Sequence, residues 1–222
     1  LERGHNAETH TTQTSVSVKL SLPSEMGSKL DKYRSMNDPY IHAQQFFFLI
    51  DTPGHTKLRH YALEYISNLQ NLTGIIFVIN AARIRADDDF TRQTADYLYE
   101  VLLRLRKRLN KGESLNDISV LVAANKMDLF TALPAESVQN ILESEFSRIR
   151  SLRLNSLPDS EVSLGDIVEE GWDDWLGDKE SSMFKFSQLE ELDKISIEFQ
   201  GGNIIGDKPR IENWRHWIAK RL

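Results

Sequence analysis

Residues 118–128 read ISVLVAANKMD: Ile118 to Ala124 is apolar apart from Ser119, and Asn125-Lys126-Met127-Asp128 follows without a spacer. A short apolar run of this kind is expected to be a strand covered on both faces, the usual condition of strands in a parallel sheet. Asn-Lys-x-Asp fixes three positions and arises by chance in roughly a few per cent of chains this long. A near match, Asn110-Lys111-Gly112-Glu113, follows a helical stretch and leads into no strand, so it reads as a surface turn. At the end of a buried strand, a carboxylate such as Asp128 can accept two hydrogen bonds from the N1–H and N2–H₂ edge of guanine. Adenine offers no such pair of donors, and a carboxylate left unpaired is costly. The methylene stem of Lys126 can cover a base, and Asn125 can tie neighbouring loops together. The plain alternative is a polar turn between a strand and a helix.

Working outward, the same kind of run recurs at Gly74–Ile79 (GIIFVI) and Phe46–Ile50 (FFFLI). Between and after these runs, apolar residues recur at helical spacing over Leu58–Leu72, Asp88–Leu109 and Pro134–Leu152. Ile195–Gln200 reads as a last strand, and Ile211–Leu222 as a closing helix with Trp214 and Trp217 on its apolar side. Ser15–Leu22 alternates apolar and polar residues, which predicts a half-buried strand, and Pro23–Pro39 reads as an irregular connection. Buried strands alternating with amphipathic helices predict an α/β fold: a doubly wound, mostly parallel sheet with helices on both faces. One domain over residues 1–222 is expected, with an acidic surface insertion at 153–182, where periodicity is lost. Ligands of such sheets bind beyond the carboxyl ends of the strands, which selects the loops at Asp51, Asn80 and Asn125.

Composition narrows the function classes. The chain carries 27 basic and 33 acidic residues, a net charge of −6, which gives no electrostatic reason to expect a nucleic-acid groove. Cysteine is absent, so disulfides, thiolate metal sites and thiol nucleophiles are excluded. No apolar run approaches the ~18 residues that span a bilayer. The sequence opens on Leu1-Glu2-Arg3 rather than methionine, and further residues are expected to precede it.

The second loop reads Asp51-Thr52-Pro53-Gly54-His55. Asp-x-x-Gly alone decides nothing, since two fixed positions recur by chance in roughly half of such chains; Asp174-Trp175-Leu176-Gly177 also matches. Context separates the two, because Asp51 ends a strand-like run whereas Asp174 lies in the acidic stretch. A carboxylate at a strand end can hold magnesium through water, and a glycine three residues on lets its N–H approach a terminal phosphate without a Cβ in the way. The alternative is an ordinary strand-to-helix turn.

In order and content these stretches resemble the Ras/Arf-like small GTPases, and more narrowly the beta-subunit family of signal recognition particle receptors. Thr12-Gln13-Thr14-Ser15 is similar to that family's first switch, Asp51–His55 to its second, and Asn125–Asp128 to its guanine motif. Phe184-Lys185-Phe186-Ser187-Gln188-Leu189 and the closing Trp214–Leu222 are similar to further family stretches. The resemblance implies GTP and Mg²⁺ as ligands. Thr14 (or Thr12 in its place) and Asp51 would serve the metal, and Thr14 and Gly54 the γ-phosphate side. Asn125, Lys126 and Asp128 would read guanine. His55 stands where many relatives place a water-orienting glutamine. Gly201-Gly202-Asn203 replaces the base-covering Ser-Ala-Lys-like loop, with Gly202 against the base. Gly-x-x-x-x-Gly-Lys-Ser/Thr, the phosphate loop, is matched nowhere in the sequence and is expected upstream of Leu1.

The strand before that loop would fill a slot between Phe46–Ile50 and Gly74–Ile79, so those two strands are expected not to pair with each other. The function implied is a GTP-binding switch subunit with at most slow or regulated hydrolysis. It would bind the N-terminal domain of the receptor's alpha subunit at the cytoplasmic face of the endoplasmic reticulum membrane, with the ribosome or translocon as further partners. Membrane association would run through a segment outside this sequence. A nucleotide-independent scaffold and an Arf-like trafficking GTPase are the alternatives.

Overall fold

The computed structural model describes residues 12–21, 46–112, 118–155, 175–178, 181, 183–205 and 209–222. They divide into two compact units, Leu1–Tyr65 with Arg215–Leu222, and Ile66–Trp214. In the first unit, β1 (Val16–Ser21) and β2 (Phe46–Asp51) form a two-stranded antiparallel sheet, in register from Val16 opposite Asp51 to Ser21 opposite Phe46. The alternation in β1 and the apolar run in β2 make strands as expected, but coverage is less than expected. Val16 and Val18 are exposed, and Phe46 and Phe48 are 55% and 69% exposed. A hydrophobic period fixes the extended conformation but leaves open what covers each face. After β2 comes a short turn of 3₁₀ helix, Thr56–Leu58, leading into α1 (Arg59–Asn68).

The second unit holds a parallel sheet in the order β3 (Gly74–Asn80), β4 (Ser119–Asn125), β5 (Ser196–Gly201). Gly74 lies opposite Ser119 and Asn80 opposite Asn125, while Ser119 lies opposite Ser196 and Ala124 opposite Gly201. In the central strand Val120 through Ala124 are wholly buried. Among the described residues, β2 pairs with β1 and β3 with β4, and β2 and β3 do not pair with each other.

Between these strands run α2 (Asp88–Asn110) and α3 (Ala135–Asn155), which contact each other, with the ring of Tyr99 on α2 edge-on to that of Phe146 on α3 at 5.2 Å between centroids. The start of α2 is fixed by Asp87, whose carboxylate accepts the Phe90 N–H at 3.0 Å; that bond, and then Arg83, hold its pKa below the usual value. Asp88 and Asp89 lie in the first turn and Lys107 and Arg108 in the last, each suited to the helix dipole. Arg108 is buried and spends its guanidinium on the carbonyls of Ile66 (2.8 Å) and Gln70 (3.2 Å), satisfying acceptors near the end of α1. The Asn110–Gly112 part of the near match is the end of α2, with Gly112 at φ +70° and its N–H on the Leu109 carbonyl.

The remaining helices are α4 (Ser187–Asp193) and α5 (Glu212–Ala219). The stretch before α4 is a core plug. Phe184, Phe186 and Leu189 are buried, and the rings of Phe184 and Phe186 stack against Phe146, with Phe186 also against Phe199 of β5. Glu143 of α3, itself buried, anchors it by accepting the Phe186 N–H at 3.2 Å and the Lys185 ammonium at 2.6 Å, while Ser147 Oγ accepts the Phe184 N–H at 2.9 Å. Glu143→Ala is therefore expected to cost ~1–3 kcal/mol, because it strands a buried N–H. Lys185→Ala should cost less than ~1 kcal/mol, because the lysine is half exposed. Denaturant unfolding of the two variants checks this, and equal losses would contradict the anchoring role of the backbone bond.

Most of the stretch expected as a surface insertion (153–182), and the connection at Pro23–Pro39, lie outside the described residues. Two parts of the insertion are described and differ from expectation. The helix α3 runs on through Asn155, and Leu176 is wholly buried. The Trp175 carbonyl accepts from Arg106, and the Asp178 carbonyl from Arg150, with Arg150 also stacked on the Trp175 ring. Gly177 is at φ +73°, and a Cβ there would meet Gln188 Oε1 at 3.0 Å, so this Asp-x-x-Gly glycine serves packing.

Candidate functional site

The loops at the carboxyl ends of β2, in the first unit, and of β4 and β5, in the second, carry expected site residues. In the first unit, Asp51 is the last residue of β2 and is exposed, and its partner Val16 begins β1. Antiparallel pairing thus puts Thr14, two residues ahead of Val16 and also exposed, at the same end of the sheet as Asp51. A threonine hydroxyl and a carboxylate are hard oxygen donors, a set that fits magnesium, which keeps several waters and takes few protein ligands. Among the described residues there is no group of three or more His, Asp or Glu that would form a metal cage.

Gly54 lies in the loop after buried Pro53, and a Cβ built on it meets nothing within 4 Å. The fold itself therefore does not require glycine at this position. His55 caps the 3₁₀ turn: its Nδ1 accepts the Lys57 N–H at 3.3 Å, and its carbonyl accepts the Leu58 N–H at 2.8 Å. A neutral imidazole that accepts at Nδ1 carries its proton on Nε2. In that state the exposed edge of His55 can donate to the oxygen of a water and cannot take a proton from it.

In the second unit, Asn125 ends β4. Its carbonyl accepts the Ala81 N–H at 3.0 Å, and the Ala81 carbonyl accepts the Leu133 N–H at 3.2 Å. Backbone bonds thereby tie the loops after β3 and β4 together, and the Asn125 side-chain oxygen accepts the Lys126 N–H at 2.8 Å. Lys126 has φ +68°, left-handed backbone in a residue with a Cβ. Such a conformation costs about 1–3 kcal/mol and recurs at ligand sites. It turns the chain so that the Leu129 N–H closes on the Lys126 carbonyl at 3.0 Å, leaving Asp128 exposed on the turn. The Asp128 carboxylate has no hydrogen-bond partner among the described residues and is free to accept from a ligand.

Gly202 sits against this turn. Its N–H donates to the Ala124 carbonyl at 2.9 Å, and its carbonyl accepts the Met127 N–H at 3.1 Å. A Cβ at this position would collide with the Arg210 carbonyl and lie 2.6 Å from Trp214 Cζ2. Glycine is thus required by packing, and both polar backbone atoms of Gly202 are spent on β4 and the turn after it. The Asn203 N–H is likewise spent, on the Arg210 carbonyl at 3.3 Å, whereas the Ile204 N–H has no acceptor among the described residues. Arg210 and Ile204 carried no sequence signal, being single residues in a loop without periodicity or motif.

A family model described as the signal recognition particle receptor beta subunit matches residues 7–192 of this chain. The chain belongs to that family. Among its curated members, the beta subunit of Saccharomyces cerevisiae is 31% identical over 177 residues, covering 78% of this chain and 66% of the relative. That of Homo sapiens is 28% identical over 179 residues, covering 78% and 57%. The chain thus spans less than two thirds of the length of these relatives.

Among solved structures, a Chaetomium thermophilum structure titled as a signal recognition particle receptor SRb-GTP/SRX complex superposes with a TM-score of 0.76. It is 35% identical and covers 100% of this chain and 86% of its own. A second from that organism, titled SRb-GDP-Mg, gives a TM-score of 0.65 at 40% identity, covering 78% and 79%. These neighbours establish the small-GTPase α/β fold for this chain, with the parallel sheet β3-β4-β5 as its described centre.

Proposed function

We propose that this family member acts as the GTP-binding switch subunit of a signal recognition particle receptor, over a single GTPase-like domain. The observation that carries the reading is the turn at Lys126, which holds a partner-free Asp128 carboxylate beside the exit of β5. Asp128 takes the N1–H and N2–H₂ edge of guanine, the Lys126 stem covers the base, and Asn125 holds the β3 and β4 loops in register. Gly202 braces the turn, and the Ile204 N–H is the donor in this loop for the base carbonyl.

Thr14 and Asp51 hold magnesium, which when bound offsets charge on the phosphates; Gly54 donates its N–H to the terminal phosphate. His55, capped as it is, orients a water without deprotonating it, which fits a switch with slow or regulated turnover. The relatives titled as GTP and GDP-Mg forms support these ligands.

Ordering of the Thr14 and Gly54 segments by GTP would create the docking surface for the alpha subunit's N-terminal domain. The relative solved with SRX, and the exposed Phe46 and Phe48 on β2 of the first unit, support such a partner. Family membership supports a place at the endoplasmic reticulum membrane, on its cytoplasmic face, near the ribosome and translocon. No helix among the described residues is long and apolar enough to cross a membrane.

Titration of the full-length protein with a fluorescent GTP analogue tests the reading. Saturable binding that weakens at least ~10-fold when magnesium is chelated is expected, since a bound divalent ion is a large local charge beside the phosphates. Alpha-subunit capture should follow the GTP-bound fraction. Capture independent of nucleotide would select the scaffold alternative.

A further inference from the structure

The loop after β5 is built around a two-way backbone bridge. The Asn203 N–H donates to the Arg210 carbonyl at 3.3 Å, and the Arg210 N–H to the Asn203 carbonyl at 2.9 Å. Asn203 is a polar residue only 3% exposed, and its carboxamide is used on both sides, Nδ2 donating to the Ile205 carbonyl at 2.9 Å and Oδ1 accepting from Arg210 Nε at 3.2 Å. The other end of the same guanidinium reaches across the loop, with Arg210 Nη2 donating to the Met127 carbonyl at 3.4 Å. Met127 lies between Lys126 and Asp128. Its N–H is already held by the Gly202 carbonyl, and its side chain packs on Gly201. Both backbone polar atoms of Met127 are therefore fixed by the segment that leaves β5.

We propose that Arg210 is a positioning residue for base recognition, aiming the Asp128 carboxylate by clamping the Met127 carbonyl. The inference rests on the reading of Asp128 as the guanine-recognising group. The physical link is the peptide plane. The Met127 carbonyl and the Asp128 N–H belong to one rigid unit, so fixing the oxygen fixes the direction in which the Asp128 Cα and its side chain leave the turn. The need for a clamp follows from the preceding residue. Lys126 sits in a left-handed conformation that relaxes unless its surroundings hold it. A guanidinium suits the task because its planar fork holds two acceptors at a set separation, here Asn203 Oδ1 and the Met127 carbonyl, which one ammonium does not.

Arg210 is exposed, and the Asn203–Arg210 bridge is made of backbone atoms, so replacing the side chain leaves the bridge and the core in place. In the full-length protein, Arg210→Ala is expected to speed dissociation of fluorescent GDP by roughly tenfold, the ratio carried by one hydrogen bond. Its melting temperature should stay within about 2 °C of the parent. The decisive measurement compares GDP with inosine diphosphate, which lacks the 2-amino group. The advantage of GDP reports the second hydrogen bond to Asp128, and Arg210→Ala should shrink that advantage severalfold.

Arg210→Gln, too short to hold both acceptors, should behave in the same way. A merely structural role would weaken GDP and inosine diphosphate equally, and that result overturns the proposal. Asp128→Ala separates the two levels of the argument. If it collapses the GDP advantage while Arg210→Ala does not, base recognition stands and the role of Arg210 falls. If Asp128→Ala leaves the advantage intact, both fall.

Discussion

Asp128→Asn is expected to exchange the base preference of this chain from guanine to xanthine. Xanthine carries a carbonyl where guanine carries its 2-amino group, so the edge facing residue 128 changes from two donors to one donor and one acceptor. Asn presents the complementary pair, an oxygen for N1–H and an amide N–H for the carbonyl. Against guanine the same amide N–H faces the 2-amino group, and one donor on each side is left without an acceptor. Losing hydrogen bonds to a charged group at ~1.5–3 kcal/mol each, together with that mismatch, predicts a fall of about 10²–10³ in GTP affinity. XTP should gain correspondingly. The fold should be indifferent, because the carboxylate is exposed and makes no hydrogen bond among the described residues. Competition of GTP and XTP for a fluorescent nucleotide, with melting temperatures recorded in parallel, measures both halves. Retained preference for GTP in a folded variant would remove Asp128 from the base site.

What the sequence disclosed and what it hid follow from the range of the interactions. The strand β4 and the Asn125–Asp128 turn that ends it were legible because an apolar run and the polar turn after it are contiguous, and the parallel sheet followed from the recurrence of such runs. The left-handed backbone of Lys126 was not legible, since nothing in Asn-Lys-Met-Asp names the residue that bears the strain. Phe184–Leu189 stood out only by resemblance. Its physical partner Glu143 lies on α3, where one carboxylate among the polar residues of a helix looks like a solvated one until the fold brings the Phe186 N–H to it.

Leu176 was hidden for a similar reason. A single apolar residue among Asp, Trp and Gly makes no period, yet it is wholly buried. In the other direction, the alternation in β1 and the Phe run in β2 gave strands correctly and overstated how far Val18 and Phe48 are covered. Gly202 was noticed as a small residue near a base. The crowding by Arg210 and Trp214 that requires it, and the pair of backbone bonds that occupies it, are both long-range.

Gly54 presents the opposite case, and Gly54→Ala is expected to separate ligand response from stability more sharply than any other single change in the first unit. Open space surrounds the position where its Cβ would be, and its φ lies outside the left-handed range. A methyl group there displaces nothing in the protein, and a slightly less flexible unfolded chain favours Ala over Gly by ~0.4–1 kcal/mol, so stability should hold or rise. If the Gly54 N–H meets the terminal phosphate of GTP, the same methyl group stands at the face the phosphate approaches, and a donor that needs contact at ~2.9 Å is held off. Losing a hydrogen bond to a charged group and adding a clash predicts a drop in GTP affinity of about 10–100-fold. GDP, which has no terminal phosphate at that place, should bind almost unchanged. Alpha-subunit capture should fall with the GTP-bound fraction, while the unfolding midpoint stays at or above that of the parent. The ratio of GTP to GDP affinity is the quantity to measure. An unaltered ratio in Gly54→Ala would mean that this glycine is an ordinary loop residue and that the terminal phosphate is sensed elsewhere.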